Sequence, residues 1–461
     1  MTEPLLIGAM VRTLGAYPSG WRQPGAHRDP AGDAAVLRRI AEEAEGAGLD
    51  YLFFGDWLAT GPDLEFRDPY LLARIDPLSA VLHLAAVTSR IGLIATVNTT
   101  YADPYATARQ LASLDLLSGG RAGVNLVTGA EPRAAGNHGR DAHADNETRY
   151  DRAEEFVTAL RRLWDSWGDD AWIADAERGV LIDADALRGA DLQGEHVRVT
   201  GPLNVARPPQ GQIPIVHAGT SPRSRALAAT EADLALIGVP DLAAAVETRS
   251  ILRDLAAESG RSPDALKVIA PILPVVAETD AEARRIVERL LALVPLAEGH
   301  QRERTAFPAN RTVDALADAL GVAEDDTLRA SAFDAPVTAA EVERLGDRGA
   351  ALVERVGRIA GLVVSGTAAD ADRPLAWRHL VAAHAVPAAF VVGDAAAVAD
   401  HVETWRDEGA ADGFNVLSAY QPAQFEAFTR LAAPELRRRG LLGRAGETLR
   451  DRLGVTSYVD A

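Results

Sequence analysis

Residues 101–128 read Tyr101-Ala-Asp-Pro-Tyr-Ala-Thr-Ala-Arg-Gln-Leu-Ala-Ser-Leu-Asp-Leu-Leu-Ser-Gly-Gly-Arg-Ala-Gly-Val-Asn-Leu-Val-Thr128. Pro104 suits the first turn of a helix, and apolar or small residues recur at helical spacing over residues 108–117. Gly119-Gly120 then predicts the end of that helix. The mostly apolar run at residues 122–127 predicts a buried strand that ends in polar groups.

The same alternation of helix and strand extends in both directions along the chain. Alternating strand and helix candidates are typical of a parallel α/β sheet or barrel. We interpret residues 1–461 as one barrel domain with insertions at about 168–213 and 294–388 and a C-terminal tail at about 421–461. Residues 390–392 and then residues 413–417 would close the barrel. The other predicted strands are 5–10, 51–54, 91–97, 122–127, 213–216, 234–237 and 267–277.

Composition argues against several classes of protein. The chain has 47 basic and 66 acidic residues, for a net charge of −19, and this acidity disfavours nucleic-acid binding. With no cysteine, it has no disulfide, thiolate nucleophile or cysteine-ligated zinc. The start of the chain lacks a signal-peptide pattern, and no apolar run approaches the ~20 residues of a membrane span. We therefore expect a cytoplasmic enzyme that binds neither nucleic acid nor a membrane.

Polar residues follow several of the predicted strands at the point where each strand ends. They are Asp56, Thr96 and Asn98, Asn125 and Thr128, and the run from His217 to Ser221. Each alone is typical of ordinary loop capping. Their repeated position predicts that they converge on one face, which in an α/β barrel is the face of the active site.

The segment from Gly219 to Ser224 admits two interpretations. Ser221 is placed as the N-cap of a helix and Pro222 as its first residue. The segment is therefore either a well-capped helix and no more, or a cradle for a phosphate, because the free N–H groups at a helix start attract anions. His138 and His143 lack metal-ligand spacing, so we interpret them as surface histidines and predict no metal site.

Together these motifs resemble those of the flavin-dependent, bacterial-luciferase-like monooxygenases. The resemblance is to the branch of nitrilotriacetate monooxygenase, dibenzothiophene-sulfone monooxygenase and pristinamycin synthase A. It runs almost end to end and rests on the 100–129 block together with Gly20-Trp-Arg, Phe53-Phe-Gly-Asp56, Arg149-Tyr150, His217-Ala-Gly-Thr-Ser-Pro222, Asp412-Gly-Phe-Asn415, Pro434-Glu-Leu-Arg-Arg-Arg-Gly440 and Thr448-Leu-Arg-Asp-Arg-Leu-Gly454.

The resemblance implies a TIM (β/α)8 barrel of the bacterial luciferase-like type with insertions. It implies a two-component monooxygenase that receives reduced FMN from a separate NAD(P)H:flavin reductase. With O2, the enzyme would oxygenate a small organic substrate through a flavin peroxide or hydroperoxide, as a homodimer or homotetramer. It places Asn125 and Thr96 beside the flavin ring as catalytic residues. The implied cofactor-binding residues are Asp56, Asn98, Thr128, Asn146, Tyr150, Gly219, Thr220 and Ser221, with Tyr150 and Ser221 on the phosphate.

One departure from the family concerns the position four residues before Tyr150. The family usually has histidine there, whereas this chain has Asn146, which can form hydrogen bonds but cannot be a cation or a general acid. Asn146 could instead be the N-cap of the helix that follows. Two alternatives to the monooxygenase stay open: a deazaflavin-dependent oxidoreductase and a non-catalytic flavin-binding protein.

Overall fold

The computed structural model describes residues 3–60, 74–239, 241–294, 333–366, 373–386 and 388–455. In chain order, the strands of this part of the chain are β1 (Leu6–Met10), β2 (Tyr51–Phe54), β3 (Gly92–Asn98), β4 (Ala122–Val127), β5 (Trp172–Asp175), β6 (Val180–Ile182), β7 (Leu192–Gln193), β8 (Arg198–Val199), β9 (Ile215–Ala218), β10 (Leu234–Leu236), β11 (Lys267–Val276), β12 (Ala389–Gly393) and β13 (Gly413–Leu417).

Eight parallel strands of the described chain close into a barrel. Around the ring the order is β1, β2, β3, β4, β9, β10, β11 and β13, and β13 pairs with β1 to complete it. The four short strands β5 to β8 form two antiparallel hairpins outside the ring. The predicted TIM barrel is confirmed.

Strand β12 differs from its predicted place in the ring. The ten-residue β11 has two partners in succession: residues 269–272 pair with β13, and residues 272–276 pair with β12. In the described residues β12 has no second neighbour. The prediction that residues 390–392 help to close the barrel is therefore wrong, because β13 alone fills the gap between β11 and β1.

The described helices either follow barrel strands and cover the outside of the ring or lie in the connecting segments and the C-terminal segment. They are α1 (Asp33–Ala47), α2 (Pro77–Ala85), α3 (Pro104–Ser118), α4 (Ala134–Asn137), α5 (Asn146–Trp164), α6 (Pro222–Glu231), α7 (Leu242–Glu258), α8 (Asp280–Ala292), α9 (Ala339–Ala360), α10 (Trp377–Ala382), α11 (Ala395–Asp407), α12 (Ala423–Ala427), α13 (Ala433–Arg438) and α14 (Leu449–Leu453), with a π-helical turn at Phe428–Ala432. Asp103 caps the N-terminus of α3, and Gly119 ends it in a left-handed conformation.

The strands bury both of their faces. On β1, Ile7 and Ala9 pack outward against the helices, whereas Leu6 and Met10 point into the barrel. Gly8 also faces inward, and a Cβ at this position would overlap the ring of Tyr51. The barrel interior is therefore filled by side chains from neighbouring strands.

The C-terminal segment closes the amino end of the barrel. Leu449 of α14 packs against Gly92 at the start of β3 and against Gly123 near the start of β4, where added Cβ atoms would contact its side chain. Both glycines leave room for this leucine. The opposite mouth, at the carboxyl ends of the strands, lies among the connecting loops, which is where barrel enzymes carry their active sites.

In the described residues, the predicted insertions and tail contain none of the eight barrel strands. Residues 168–213 contain the two hairpins, and the described part of residues 294–388 contains α9 and α10, which pack against α8. Residues 295–332, 367–372, 387 and 456–461 lie outside the described residues. The division into one domain with two insertions and a tail stays a prediction.

Among the described helices, none combines the length and the apolar character needed to cross a membrane.

Candidate active site

Thr96 and Asn125 form a buried pair on neighbouring strands. They lie opposite each other in the β3–β4 register, and only 5% and 3% of the two residues is exposed. The Asn125 Nδ2 donates a hydrogen bond of 3.0 Å to the Thr96 hydroxyl, which fixes the orientation of the amide. The Asn125 Oδ1 is buried and has no partner among the described residues. A ligand could therefore donate a hydrogen bond to Asn125 and accept one from the Thr96 hydroxyl.

The start of α6 forms a cradle beside this pair. Ser221 is the N-cap, its hydroxyl accepts a hydrogen bond of 3.2 Å from the Ser224 N–H, and Pro222 is the first helical residue, as predicted. Because the Ser221 oxygen acts as the acceptor, its own proton is free for a ligand. At Gly219 a Cβ would overlap the Ser224 hydroxyl and would lie 3.8 Å from the Tyr150 hydroxyl. Tyr150, Gly219 and the helix start are therefore brought together.

The buried His217 ring links the Ser224 side chain at the start of α6 to the backbone of β4. Its Nδ1 lies 2.7 Å from the Leu126 carbonyl and its Nε2 lies 2.9 Å from the Ser224 hydroxyl. Burial lowers the pKa of His217 to about 4, so the ring is neutral at physiological pH. A neutral ring in this position donates from Nδ1 to the carbonyl and accepts from the Ser224 hydroxyl. The sequence assigned His217 no role of its own; its only signal was a histidine at the end of a buried strand, seven residues before a serine.

Arg223 ties α6 to the helix that carries Tyr150. Its guanidinium pairs with Glu147, Asp151 and Glu154 on one side of α5, at 3.3, 2.6 and 3.2 Å. It also lies 5.8 Å from the centre of the Tyr150 ring. These ion pairs occupy the Arg223 guanidinium with carboxylates of α5 and link helix α6 to helix α5.

The side chains of Asp56 and Asn98 accept hydrogen bonds from nearby backbone N–H groups, and Thr128 contributes its carbonyl to the same region of the barrel mouth. Asp56 accepts a hydrogen bond of 2.7 Å from the Trp57 N–H, and burial raises the pKa of this carboxyl. Asn98 accepts one of 3.0 Å from the Thr100 N–H, and the Thr128 carbonyl accepts one of 2.6 Å from the Thr100 hydroxyl. Contacts between these three side chains and a cofactor stay predictions.

Asn146 and Thr220 are exposed. Asn146 is the first residue of α5, and its side-chain oxygen accepts a hydrogen bond of 3.2 Å from Arg149. The N-cap is Asp145, which accepts from the Thr148 N–H at 2.9 Å, so the alternative that Asn146 caps this helix is wrong. A carboxylate at that position also interacts favourably with the helix dipole. Cofactor binding by Asn146 and Thr220 stays a prediction.

His143 is half-buried, not a surface side chain as the sequence suggested. Its Nδ1 lies 2.7 Å from the Tyr101 hydroxyl. His138 is exposed and stacks on the Tyr101 ring, with the ring centres 4.4 Å apart. The described residues contain no group of histidine, aspartate and glutamate side chains that could hold a metal ion.

The Thr96–Asn125 pair and the cradle lie on adjoining strands. Asn125 of β4 is opposite Val216 of β9 in the register, and His217 directly follows Val216. The Leu126 carbonyl, one residue beyond Asn125, is the partner of His217. The structure therefore brings together one hydroxyl–amide pair and the cradle at the start of α6, at the carboxyl end of the barrel.

Comparison with known proteins agrees with this geometry. The model of the luciferase-like monooxygenase family matches residues 17–412. The chain belongs to this family. It is 33% identical to the N-acetyl-S-(2-succino)cysteine monooxygenase of Bacillus subtilis (strain 168), over 99% of this chain and 98% of the relative. It is 34% identical to the nitrilotriacetate monooxygenase component A of Aminobacter aminovorans, over 97% and 96% of the two chains.

A solved structure of riboflavin lyase with modified FMN and riboflavin shares the same fold. It is 28% identical, with a TM-score of 0.75, over 98% of this chain and 96% of that one. The predicted membership in this branch and the predicted flavin-dependent monooxygenase activity are confirmed at the level of the family. The roles of the individual site residues stay predictions.

Proposed function

We propose that this chain is the oxygenating component of a two-component monooxygenase. It would take reduced FMN from a separate NAD(P)H:flavin reductase and use O2 to oxygenate a small organic substrate. The observation that carries the proposal is the cradle at the start of α6, one strand away from the buried Thr96–Asn125 pair. The predictions of a cytoplasmic location and a homo-oligomer rest on the sequence and the family resemblance alone.

The cradle fits the phosphate of FMN. Pro222 has no N–H and the Ser224 N–H is bonded to Ser221, so the Arg223 N–H and the positive end of the dipole of the ten-residue helix α6 would favour a dianion. The Ser221 and Tyr150 hydroxyls would donate to it, and Gly219 leaves space where a Cβ would intrude. Arg223 stays with its three carboxylate partners, so neutral donors and the helix end would provide most of the binding.

The Thr96–Asn125 pair fits the reactive part of a flavin. When bound, reduced FMN supplies the activation of O2, which the amino-acid side chains cannot provide. The Thr96 hydroxyl would donate one hydrogen bond and the Asn125 Oδ1 would accept one. Neither group is acidic, so the pair orients its ligand without delivering a proton. Burial of both residues would keep water away from the reacting atoms.

The test is rapid mixing of the protein, loaded anaerobically with reduced FMN, against oxygenated buffer. We expect flavin absorbance to change with kinetics distinct from those of free reduced FMN. Asn125→Ala should move the kinetics towards those of free flavin. The exposed Asn204, which contacts the Tyr105 hydroxyl on the outer face, is a matched control, and Asn204→Ala should behave as wild type.

Other outcomes would identify the alternatives. Tight binding of oxidised FMN, with reoxidation at the free-flavin rate, would indicate a non-catalytic flavin-binding protein. Binding of a reduced deazaflavin in preference to FMN, without O2 consumption, would indicate a deazaflavin-dependent oxidoreductase. Unchanged kinetics in Asn125→Ala would remove this side chain from the oxygen-reacting site.

A further inference from the structure

Four side chains in the loops after β3 and β4 form a group that we call the mouth cluster: Tyr101, His138, Arg140 and His143. The His138 ring stacks on the Tyr101 ring at 4.4 Å, with 12° between the planes. The Arg140 guanidinium lies 5.2 Å from the centre of the same ring. The Tyr101 hydroxyl contacts His143 at 2.7 Å. One aromatic ring thus holds three nitrogen-bearing side chains in place.

The mouth cluster borders the entrance to the proposed active site. Tyr101 follows β3, and the other three residues belong to the loop between β4 and α5. That loop also contacts the segment after β2, because the Asn137 Nδ2 donates a hydrogen bond of 2.9 Å to the Leu58 carbonyl. The cluster therefore lies at the carboxyl ends of three consecutive barrel strands.

The mouth cluster contains one exposed cation, Arg140, although the whole chain is strongly acidic. Arg140 is exposed and forms no ion pair with a described carboxylate. Arg149, behind it, donates to the Thr128 and Gly129 carbonyls, which carry no net charge. The neighbouring acids are Glu131, Asp141 and Asp145 of the same loop and the half-buried Asp56, which interacts electrostatically with His138.

None of these acids forms a described ion pair with Arg140. Both Glu131 oxygens accept from Arg133, at 2.6 and 2.7 Å. Both Asp145 oxygens accept from Thr148, at 2.9 Å each. Asp141 is exposed and makes no described ion pair with Arg140. The mouth of the barrel therefore presents a guanidinium whose hydrogen-bond donors can bind an anion.

We propose that the mouth cluster binds a carboxylate of the substrate, so that the substrate is an organic acid. A guanidinium held against an aromatic face keeps its N–H edge free, and that edge matches the two oxygens of a carboxylate. The exposed His138 ring adds an imidazole N–H donor on the face of Tyr101, and His143 orients the Tyr101 hydroxyl. The inference rests on the proposed function, because it assigns a substrate class to the same barrel mouth.

The test measures binding of a simple polycarboxylate and its neutral isostere. Calorimetric titrations with tricarballylate and with its triamide are run on the whole protein saturated with FMN, so that the α6 cradle is occupied. We expect tricarballylate to bind and the triamide not to bind. Arg140→Gln should weaken tricarballylate binding about tenfold or more, and Arg140→Lys should recover part of it.

Controls separate this site from the flavin site. Arg109 is exposed on α3 and forms no described ion pair, so Arg109→Gln removes the same charge elsewhere and should leave tricarballylate binding unchanged. Reduced-FMN affinity should be unchanged in Arg140→Gln. If Arg140→Gln weakens FMN binding instead, the cluster serves the flavin and the carboxylate assignment is wrong.

Two further outcomes would also overturn the assignment. Equal binding of the triamide would show that the charge is not recognised. Loss of tricarballylate binding in Ser221→Ala but not in Arg140→Gln would place the anion in the α6 cradle. Failure of the wild-type protein to bind FMN would refute the proposed function, whereas titration of the flavin-free protein would still test the mouth cluster.

Discussion

Replacing His217 by glutamine tests whether a neutral buried ring supports the cradle. The wild-type ring makes two hydrogen bonds, to the Leu126 carbonyl and to the Ser224 hydroxyl. Glutamine can replace one of them. At pH 7 we expect His217→Gln to lower the free energy of unfolding by about 1–3 kcal/mol, the usual cost of one unmade buried hydrogen bond. The affinity for FMN should fall about tenfold, the equivalent of ~1.4 kcal/mol.

The pH dependence follows from the lowered pKa of His217. Its ordinary pKa is 6.5 and its folded value is about 4, so the unfolded chain binds the proton more readily. The wild type therefore loses stability as the pH falls through this interval. Between pH 7 and pH 5 the loss from this one group is about 2 kcal/mol, and glutamine does not titrate. The stability gap between wild type and variant should shrink by that amount.

Urea unfolding at both pH values measures this gap, and His401 provides a matched control. His401 is a half-buried residue of α11 near Trp405 and Phe414, far along the chain from the cradle, and its partial burial lowers its pKa to about 4 as well. His401→Gln should show the same shrinking gap but normal FMN binding. A gap for His217→Gln that is constant with pH, or equal FMN affinities in the two variants, would refute the reasoning.

Substitutions at three further positions probe the cradle and the barrel interior. Gly219→Ala should abolish measurable FMN binding at micromolar protein, because the new Cβ overlaps the Ser224 hydroxyl; fluorescence titration checks this. Ser221→Asp should retain the helix cap and the melting temperature but weaken FMN binding at least tenfold by charge repulsion, whereas Ser221→Ala should also lose about 1 kcal/mol of stability. Gly8→Ala should lower the free energy of unfolding by about 1–3 kcal/mol, because its Cβ overlaps the Tyr51 ring, without a direct effect on FMN affinity at a temperature where the variant stays folded.

Much of the local structure could be predicted from sequence periodicity. Helix α3 and strand β4 have nearly the predicted bounds, and Ser221 with Pro222 starts α6 as predicted. These features depend on spacing within one segment and on caps whose partners lie three residues away.

Family membership was also readable from the sequence, because the motifs occur in one order along almost the whole chain. That order specifies which strand ends carry polar residues. It does not specify which side chains contact one another. The orientation of the Asn125 amide depends on Thr96, 29 residues earlier, and the partners of His217 come from two different elements.

The tertiary structure alone decided the role of β12, the support of the cradle and the grouping of the mouth cluster. Strand β12 reads as a barrel strand, yet the length of β11 allows it to pair outside the ring. His143 reads as a surface residue, yet it lies against Tyr101, 42 residues away. Local sequence determines backbone periodicity and caps, whereas burial and hydrogen-bond partners depend on segments that only folding brings together.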